Sequence, residues 1–331
     1  MWLLLAASPI CPGSSRSSWS ASTGTTQHER CARERESASI RARSPRTRSR
    51  ARDPGRRPTR RSGPEEEMTA FDLGDITVEI SGGVATLTLD REPANALDVR
   101  TAEELTEFLR KVVDRKGVRA ILLTGSGRRF CTGADIAGNA GIAQRSTIDY
   151  RFGHDSYTRL FQALWEVEVP VVSAVNGTVA GVGWMLALLA DLVVADEAAR
   201  WTHVFTRRGM VPHAGDPYFL ARIIPFHRLN EIALLSDPLT SATLAEWGLV
   251  NRAVAAEEVL PTARALADRL AAGPTRSLGV TKQLYRRSLD SSITQAFSDE
   301  RAAVALISTT HDRREGLLSF KEGRDAQFVG D

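Results

Sequence analysis

Apolar strand-like runs that alternate with amphipathic helices, followed by a largely helical last third, predict an α/β domain with a C-terminal helical extension. Three observations carry this reading. Residues 118–124, 171–175 and 192–195 are short, compact apolar runs of the kind that form buried strands. Segments of helical spacing separate them. From about residue 220 onward the periodicity is mainly helical.

Taken in order, Ile76, Val78 and Ile80 alternate with polar residues, Ser81-Gly82-Gly83 supplies turn chemistry, and Val84 to Leu89 resumes as a strand. Residues 76–89 therefore read as a hairpin. Leu105, Phe108, Leu109, Val112 and Val113 have helical spacing, closed by Gly117. Tyr157 to Val167 reads as a helix that stops before Pro170. The strands at 171–175 and 192–195 flank a helix beginning near Gly183. Helical patterns follow at 228–236, 242–247, 259–271, 277–288 and 291–309.

The first 67 residues have a different character. They hold fourteen Arg, no Lys, seven acidic residues and many Ser, Thr, Pro and Gly, without apolar periodicity. Such a segment cannot bury enough surface to offset its ordering entropy. Residues 1–67 are expected to be a disordered or non-native extension, with Met68 as the true start. A transit peptide is the competing reading, against which the acids, Glu65-Glu66-Glu67 above all, weigh. Trp2 to Ala7 is too short for a signal core and has no basic segment before it. Setting aside the tail's fourteen Arg and seven acids turns the chain's formal charge of +3 into −4 for residues 68–331. The body gives no sign of nucleic-acid binding. No stretch reaches the ~18 uninterrupted apolar residues of a membrane span. Of three cysteines only Cys131 lies in the body, which argues against a disulfide framework or a Cys-based zinc site and fits a reducing cytoplasm.

Two stretches carry the chemistry. One is Arg129-Phe130-Cys131-Thr132-Gly133-Ala134-Asp135-Ile136, the other Val175-Asn176-Gly177-Thr178-Val179-Ala180-Gly181-Val182-Gly183-Trp184-Met185. Each follows an apolar run and turns through small residues that leave backbone N–H groups uncovered. Two such amides converging on one point can hold a thioester oxygen as it becomes negative. Gly133 and Gly181 let backbone approach a substrate with no Cβ between. A dinucleotide site fits less well: Gly177, Gly181 and Gly183 do not make G-x-G-x-x-G, and no G-x-x-x-x-G-K-[ST] loop is present.

These stretches resemble the enoyl-CoA hydratase/isomerase, or crotonase, superfamily. So do Arg91-Glu92-Pro93-Ala94-Asn95-Ala96-Leu97, Ala190 to Ala195, Arg208-Gly209-Met210-Val211-Pro212, Ala245 to Arg252 and Arg314-Glu315-Gly316 with Ser319-Phe320. The resemblance implies a crotonase-like ββα spiral over residues 68–265 and a helical region over 266–331. It implies homotrimers or hexamers, an acyl-CoA thioester substrate as in fatty-acid metabolism, and no metal or cofactor beyond the substrate's own coenzyme A. The oxyanion amides would belong to Ala134 and Val182. The CoA arm would run past Ala94, Ala96, Thr132, Asp135 and Ile136, with Gly181 also against the substrate and Phe320 over the nucleotide end.

The pattern then breaks. Hydratases of this superfamily use two glutamates, and the corresponding positions here are Met185 and Phe205, neither of which can carry a proton. Isomerases of the superfamily often place one acid after the Pro of a G-x-x-P turn. Here that position is His213, in Pro212-His213-Ala214-Gly215-Asp216. With a reference pKa near ~6.5, an imidazole suits a base at neutral pH. Asp216 could orient its ring or act as a second acid–base group. His203 and His154-Asp155 rank behind it; a loop histidine, a cap and a turn residue are the plain alternatives for these positions. Trp184, Met185 and Phe205 read as apolar lining for a bulky or cyclic acyl group, or simply as core. The leading expectation is double-bond isomerisation by proton transfer. Hydration with a non-standard base, hydrolysis, and a silent acyl-CoA-binding subunit stand as alternatives.

Overall fold

The computed structural model describes residues 69–112, 117–136 and 155–331. The expected extension 1–67 and His154 lie outside the described residues. Eleven described strands form two sheets. The larger has the order β1 (Thr69–Asp72), β2 (Ile76–Ser81), β3 (Val84–Leu89), β4 (Ala120–Gly125), β6 (Val171–Val175), β8 (Leu192–Asp196), β11 (Arg252–Val254). β1, β2 and β3 pair antiparallel, with the predicted hairpin closing at Ser81↔Val84. From β3 through β11 every pairing is parallel. The smaller sheet has β5 (Arg129–Cys131), β7 (Thr178–Ala180) and β9 (Arg200–Thr202) in parallel, with β10 (Leu239–Thr240) antiparallel at its edge.

The two sheets alternate along the chain. β4, β6 and β8 lie in the large sheet, and each is followed by a short strand of the small sheet. A helix then returns the chain: α1 (Val99–Lys111) precedes the first such unit, α2 (Asp155–Glu166) follows β5, and α3 (Gly183–Leu188) follows β7. This is a ββα spiral, as the sequence led one to expect. The three-residue strands escaped the sequence reading because a run that short shows no period.

Period-two alternation decides what each strand faces. Ala120 and Leu122 of β4, Val172 and Ala174 of β6 and Val194 of β8 pack against Val259, Ala263, Ala267 and Ala271. Those four lie at i, i+4 spacing on α7 (Val259–Ala271), whose alanines let the helix lie close to the sheet. The opposite face, including Ile121, Leu123, Val175 and Val193, joins the main core with Trp184, Trp201 and Phe205. Both faces are covered, which is why these strands read as continuous apolar runs. α7 thus belongs to the body and crosses the division expected at residues 265/266.

Beyond α7 come α8 (Thr275–Ser288), α9 (Ile293–Ile307) and α10 (His311–Glu322). α8 is pinned to the body through Asp191, which accepts from Lys282 Nζ at 2.6 Å, Arg286 Nη2 at 2.9 Å and the Val171 amide at 2.8 Å. Burial pushes the Lys282 ammonium down to about 8 although Asp191 opposes that shift. The outer helices expose Ile293, Phe297, Val304, Leu317 and Phe320. No helix among the described residues is long and apolar enough to cross a membrane. Between α3 and α7 lie α4 (Asp216–Ile223), α5 (Phe226–Asn230) and α6 (Ser241–Glu246); α4 and α10 are too short or too weakly amphipathic to show in the periodicity, and Pro217 and Thr310 mark their starts.

Candidate active site

The first stretch is held by residues from the loop after β3. Leu97 bridges to Ala134: the Leu97 amide donates to Gly133 O at 2.8 Å, and the Asp135 amide donates to Leu97 O at 2.7 Å. A parallel bridge consumes the groups flanking its central residue and turns that residue's own N–H to the other side. The Ala134 amide is therefore left uncommitted. Thr132 Oγ1 donates to Ala94 O at 2.9 Å. Arg91 donates from Nη2 to Asp135 Oδ2 at 2.7 Å and from Nη1 to Ala96 O at 3.2 Å. Its Nε also lies 3.3 Å from Asp75 and 3.6 Å from Asp98. These contacts tie together the two segments expected to carry the CoA arm. Asp135 thus answers to Arg91, the first residue of the Arg91–Leu97 segment.

The second stretch brings the other amide. Val182 caps the start of α3, and its carbonyl accepts from Met185 and Leu186 at 3.1 Å each. The first N–H groups of a helix have no partner within it. Among the described residues neither the Ala134 nor the Val182 amide donates to any acceptor. α3 has only six residues, so these local N–H groups, more than a long helix dipole, supply the positive field.

Glycine joins the stretches. A Cβ on Gly133, whose φ is +97°, would stand 2.9 Å from Ala180 O. A Cβ on Gly183 would stand 2.4 Å from Cys131 O. Backbone therefore meets backbone at both contacts, and each free amide is one residue from the joint. Cys131 sits beneath it, fully buried, and burial pushes its thiol up to about 12. That excludes a ready nucleophile.

Further along the chain stand aromatic rings and two histidines. Trp184, Met185 and Phe205 are 0%, 0% and 2% exposed, so they stand in the core. Trp184 meets Trp201 edge-on at 5.3 Å and His203 at 5.7 Å. The Phe205 ring lies between two imidazoles, 4.8 Å from His203 and 4.9 Å from His213. His213 is half-buried on the turn between Gly209 and α4, with Nδ1 3.1 Å from Val211 O. A carbonyl can only accept, so Nδ1 carries the hydrogen and the neutral ring has Nε2 as its basic atom.

The Asp216 carboxylate does not pair with the His213 ring. Its Oδ2 lies 2.9 Å from His203 Nε2, and both side chains are 1% exposed. Asp216 opens α4 and points inward toward the end of β9, whereas His213 lies on the outer side of the turn. The signal for His203 was present in the sequence, since residues 203 and 205 share a face where the chain is extended. Ile136 is 45% exposed and Phe320 is 88% exposed on α10. A cavity of about 350 Å³ adjoins the His213 turn, lined by Phe161, Trp165, Leu189, Ala214, Gly215 and Phe219.

Comparison with known proteins agrees with this architecture. The family described as Enoyl-CoA hydratase/isomerase matches residues 79–331. The chain is 36% identical to a Rhodobacter capsulatus protein named "Probable enoyl-CoA hydratase", over 77% of this chain and 98% of that one. It is 33% identical to the 1,2-epoxyphenylacetyl-CoA isomerase of Escherichia coli, over 77% and 98%. A crystal structure of enoyl-CoA hydratase from Bacillus anthracis superposes with a TM-score of 0.73 at 27% identity, covering 78% of this chain and 100% of that chain.

Proposed function

Because the chain belongs to the enoyl-CoA hydratase/isomerase family and is thereby an acyl-CoA enzyme, we propose that it moves a proton along an enoyl-CoA, shifting the double bond. The thioester oxygen sits between the Ala134 and Val182 amides. Those donors are fixed before substrate arrives and are aimed at charge that grows in the transition state. His213 Nε2 takes a proton from C2 of a 3-enoyl-CoA, leaving a dienolate whose negative oxygen the two amides hold. The resulting imidazolium returns the proton at C4, and the product is the 2-enoyl-CoA. Ala94, Ala96, Thr132, Asp135, Ile136 and Gly181 line the path of the CoA arm and acyl carbonyl.

The observation that carries this reading is the pairing of two uncommitted amides with Met185 and Phe205, which cannot hold water or carry protons for hydration by two carboxylates. Isomerisation needs one proton carrier, and His213 is half-buried with Nδ1 3.1 Å from Val211 O. The test incubates the protein with 2-enoyl-CoA and 3-enoyl-CoA in D₂O. Deuterium uptake with no gain of water is expected. A gain of water would establish hydration, free CoA hydrolysis, and tight CoA binding without any of these a silent binding subunit.

The apolar residues exposed on α9 and α10 support assembly as a homotrimer or a pair of trimers. Phe320 would then cover the nucleotide end of a bound CoA. A monomeric mass by light scattering would refute the assembly. A cytoplasmic setting accompanies the free, buried Cys131.

A further inference from the structure

The His203–Asp216 pair has no part in the proton transfer just described, yet it is among the most enclosed polar contacts in the body. Each side chain is 1% exposed, and Nε2 and Oδ2 are 2.9 Å apart. A carboxylate accepts, so Nε2 carries the hydrogen of this contact. The ring's Nδ1 is buried and has no partner among the described residues, and neither has Nε1 of Trp184, whose ring meets the imidazole edge-on at 5.7 Å. Removing such groups from water is costly, and well-packed apolar residues often serve stability as well or better. A role beyond stability is therefore the more economical account.

We infer that His203 and Asp216 are positioning residues that hold the turn carrying His213 in register with the oxyanion amides. The inference rests on His213 being the base. The turn enters α4 through Ala214 at φ +64° and Gly215 at φ +83°. A residue with a Cβ is strained in that region and persists there only when its surroundings hold it. Asp216 follows immediately, and its amide donates to His213 O at 3.3 Å. Its carboxylate reaches across to His203, where the chain leaves β9. From His203 the contact runs through the Phe205 ring back to His213, at 4.8 and 4.9 Å. The loop of contacts closes on the base. Breaking the His203–Asp216 hydrogen bond releases α4's first residue from β9 and lets the strained turn relax, taking the imidazole with it.

The experiment uses the full chain with a 3-enoyl-CoA. Asp216→Ala and His203→Ala are each expected to lower kcat by roughly 10²-fold, the cost of a misplacement near 1 Å, with KM held within about twofold. His203→Gln keeps an N–H donor for Asp216 and is expected to recover most of the loss. In a His213→Ala background, Asp216→Ala is expected to add nothing, because the pair acts through His213. Additive losses would overturn the inference. A readout independent of turnover is the ring signal of His213 in protein labelled with ¹⁵N-histidine, assigned by its disappearance in His213→Ala. It is expected to shift in Asp216→Ala and in His203→Ala and to return in His203→Gln. An unmoved signal in a folded variant would overturn the inference whether or not the protein turns over an enoyl-CoA. Wild-type protein that turns over none would instead overturn the proposed reaction. If Asp216→Ala does not fold, the His203→Ala and His203→Gln pair carries both readouts.

Discussion

In the proposed reaction the Gly133–Gly183 joint contributes backbone, whereas the Pro212–Asp216 turn contributes a side chain, and the two ends respond differently to sequence change. The joint needs residues that let chains touch: a Cβ on Gly183 would meet Cys131 O at 2.4 Å. Its donors are amides that nearly any residue supplies, which is how Val182 can stand in such a site. The turn has no such tolerance. In the proposed reaction Met185 and Phe205 cannot take the part of a hydratase's two carboxylates, and His213 on the turn is the proton carrier that remains. A family can therefore keep its way of polarising a thioester while changing what happens to the proton.

The largest effect expected on that contrast is at the side-chain end. His213→Ala should lower the rate of deuterium exchange by about 10²–10⁴-fold, the usual contribution of a general base. Exchange that survives at the wild-type rate would move the base elsewhere. At the backbone end, Gly183→Ala should separate the two stretches and cost about 10²–10³-fold, as loss of an oxyanion donor does. Here a lowered thermal midpoint should accompany the loss, because a backbone carbonyl must shift. Stability unchanged together with full activity would show that the joint is looser than described.

A third measurement asks whether the backbone end depends on remote side chains. Asp191 lies just beyond α3, and Arg286 also donates to Leu189 O at the end of that helix. In the unfolded chain Lys282 keeps its proton to its ordinary pKa near ~10.4, while in the folded chain burial brings it down to about 8. Between those values the unfolded state binds the extra proton, so this group's contribution to stability rises with pH. Lys282→Met should abolish a rise on the order of 2 kcal/mol across that window, read from denaturant midpoints at pH 7.5 and 10. The smallest effect is expected at Cys131. With its thiol buried and pushed up to about 12, its peptide should stay unlabelled by iodoacetamide in native protein at pH 8 and react only on unfolding. Rapid native labelling would mean that the joint opens.

Much of this was legible in the chain. The apolar runs of β4, β6 and β8 are buried on both faces and so look the same from either side. The glycines of both stretches announce close backbone approach. The elements that escaped are those with too few residues to show a period, β5, β7 and β9, and these build the small sheet that brings the stretches together. Asp216 shows the other kind of gap. Three residues from His213, it was the natural partner by sequence distance, yet the start of α4 turns it toward His203. Arg91 likewise reads as an ordinary charge until Asp135, 44 residues on, closes against it.

The sequence by itself determined the α/β class, the family, the two amide-bearing turns and the absence of carboxylates at positions 185 and 205, because periodicity, glycine and residue type are local properties. Only the tertiary structure decided which amides are left without acceptors, how tightly Gly133 and Gly183 join the stretches, and which carboxylate meets which imidazole. Those are outcomes of packing between segments far apart in the chain, where a hydrogen bond forms or fails over a few tenths of an ångström.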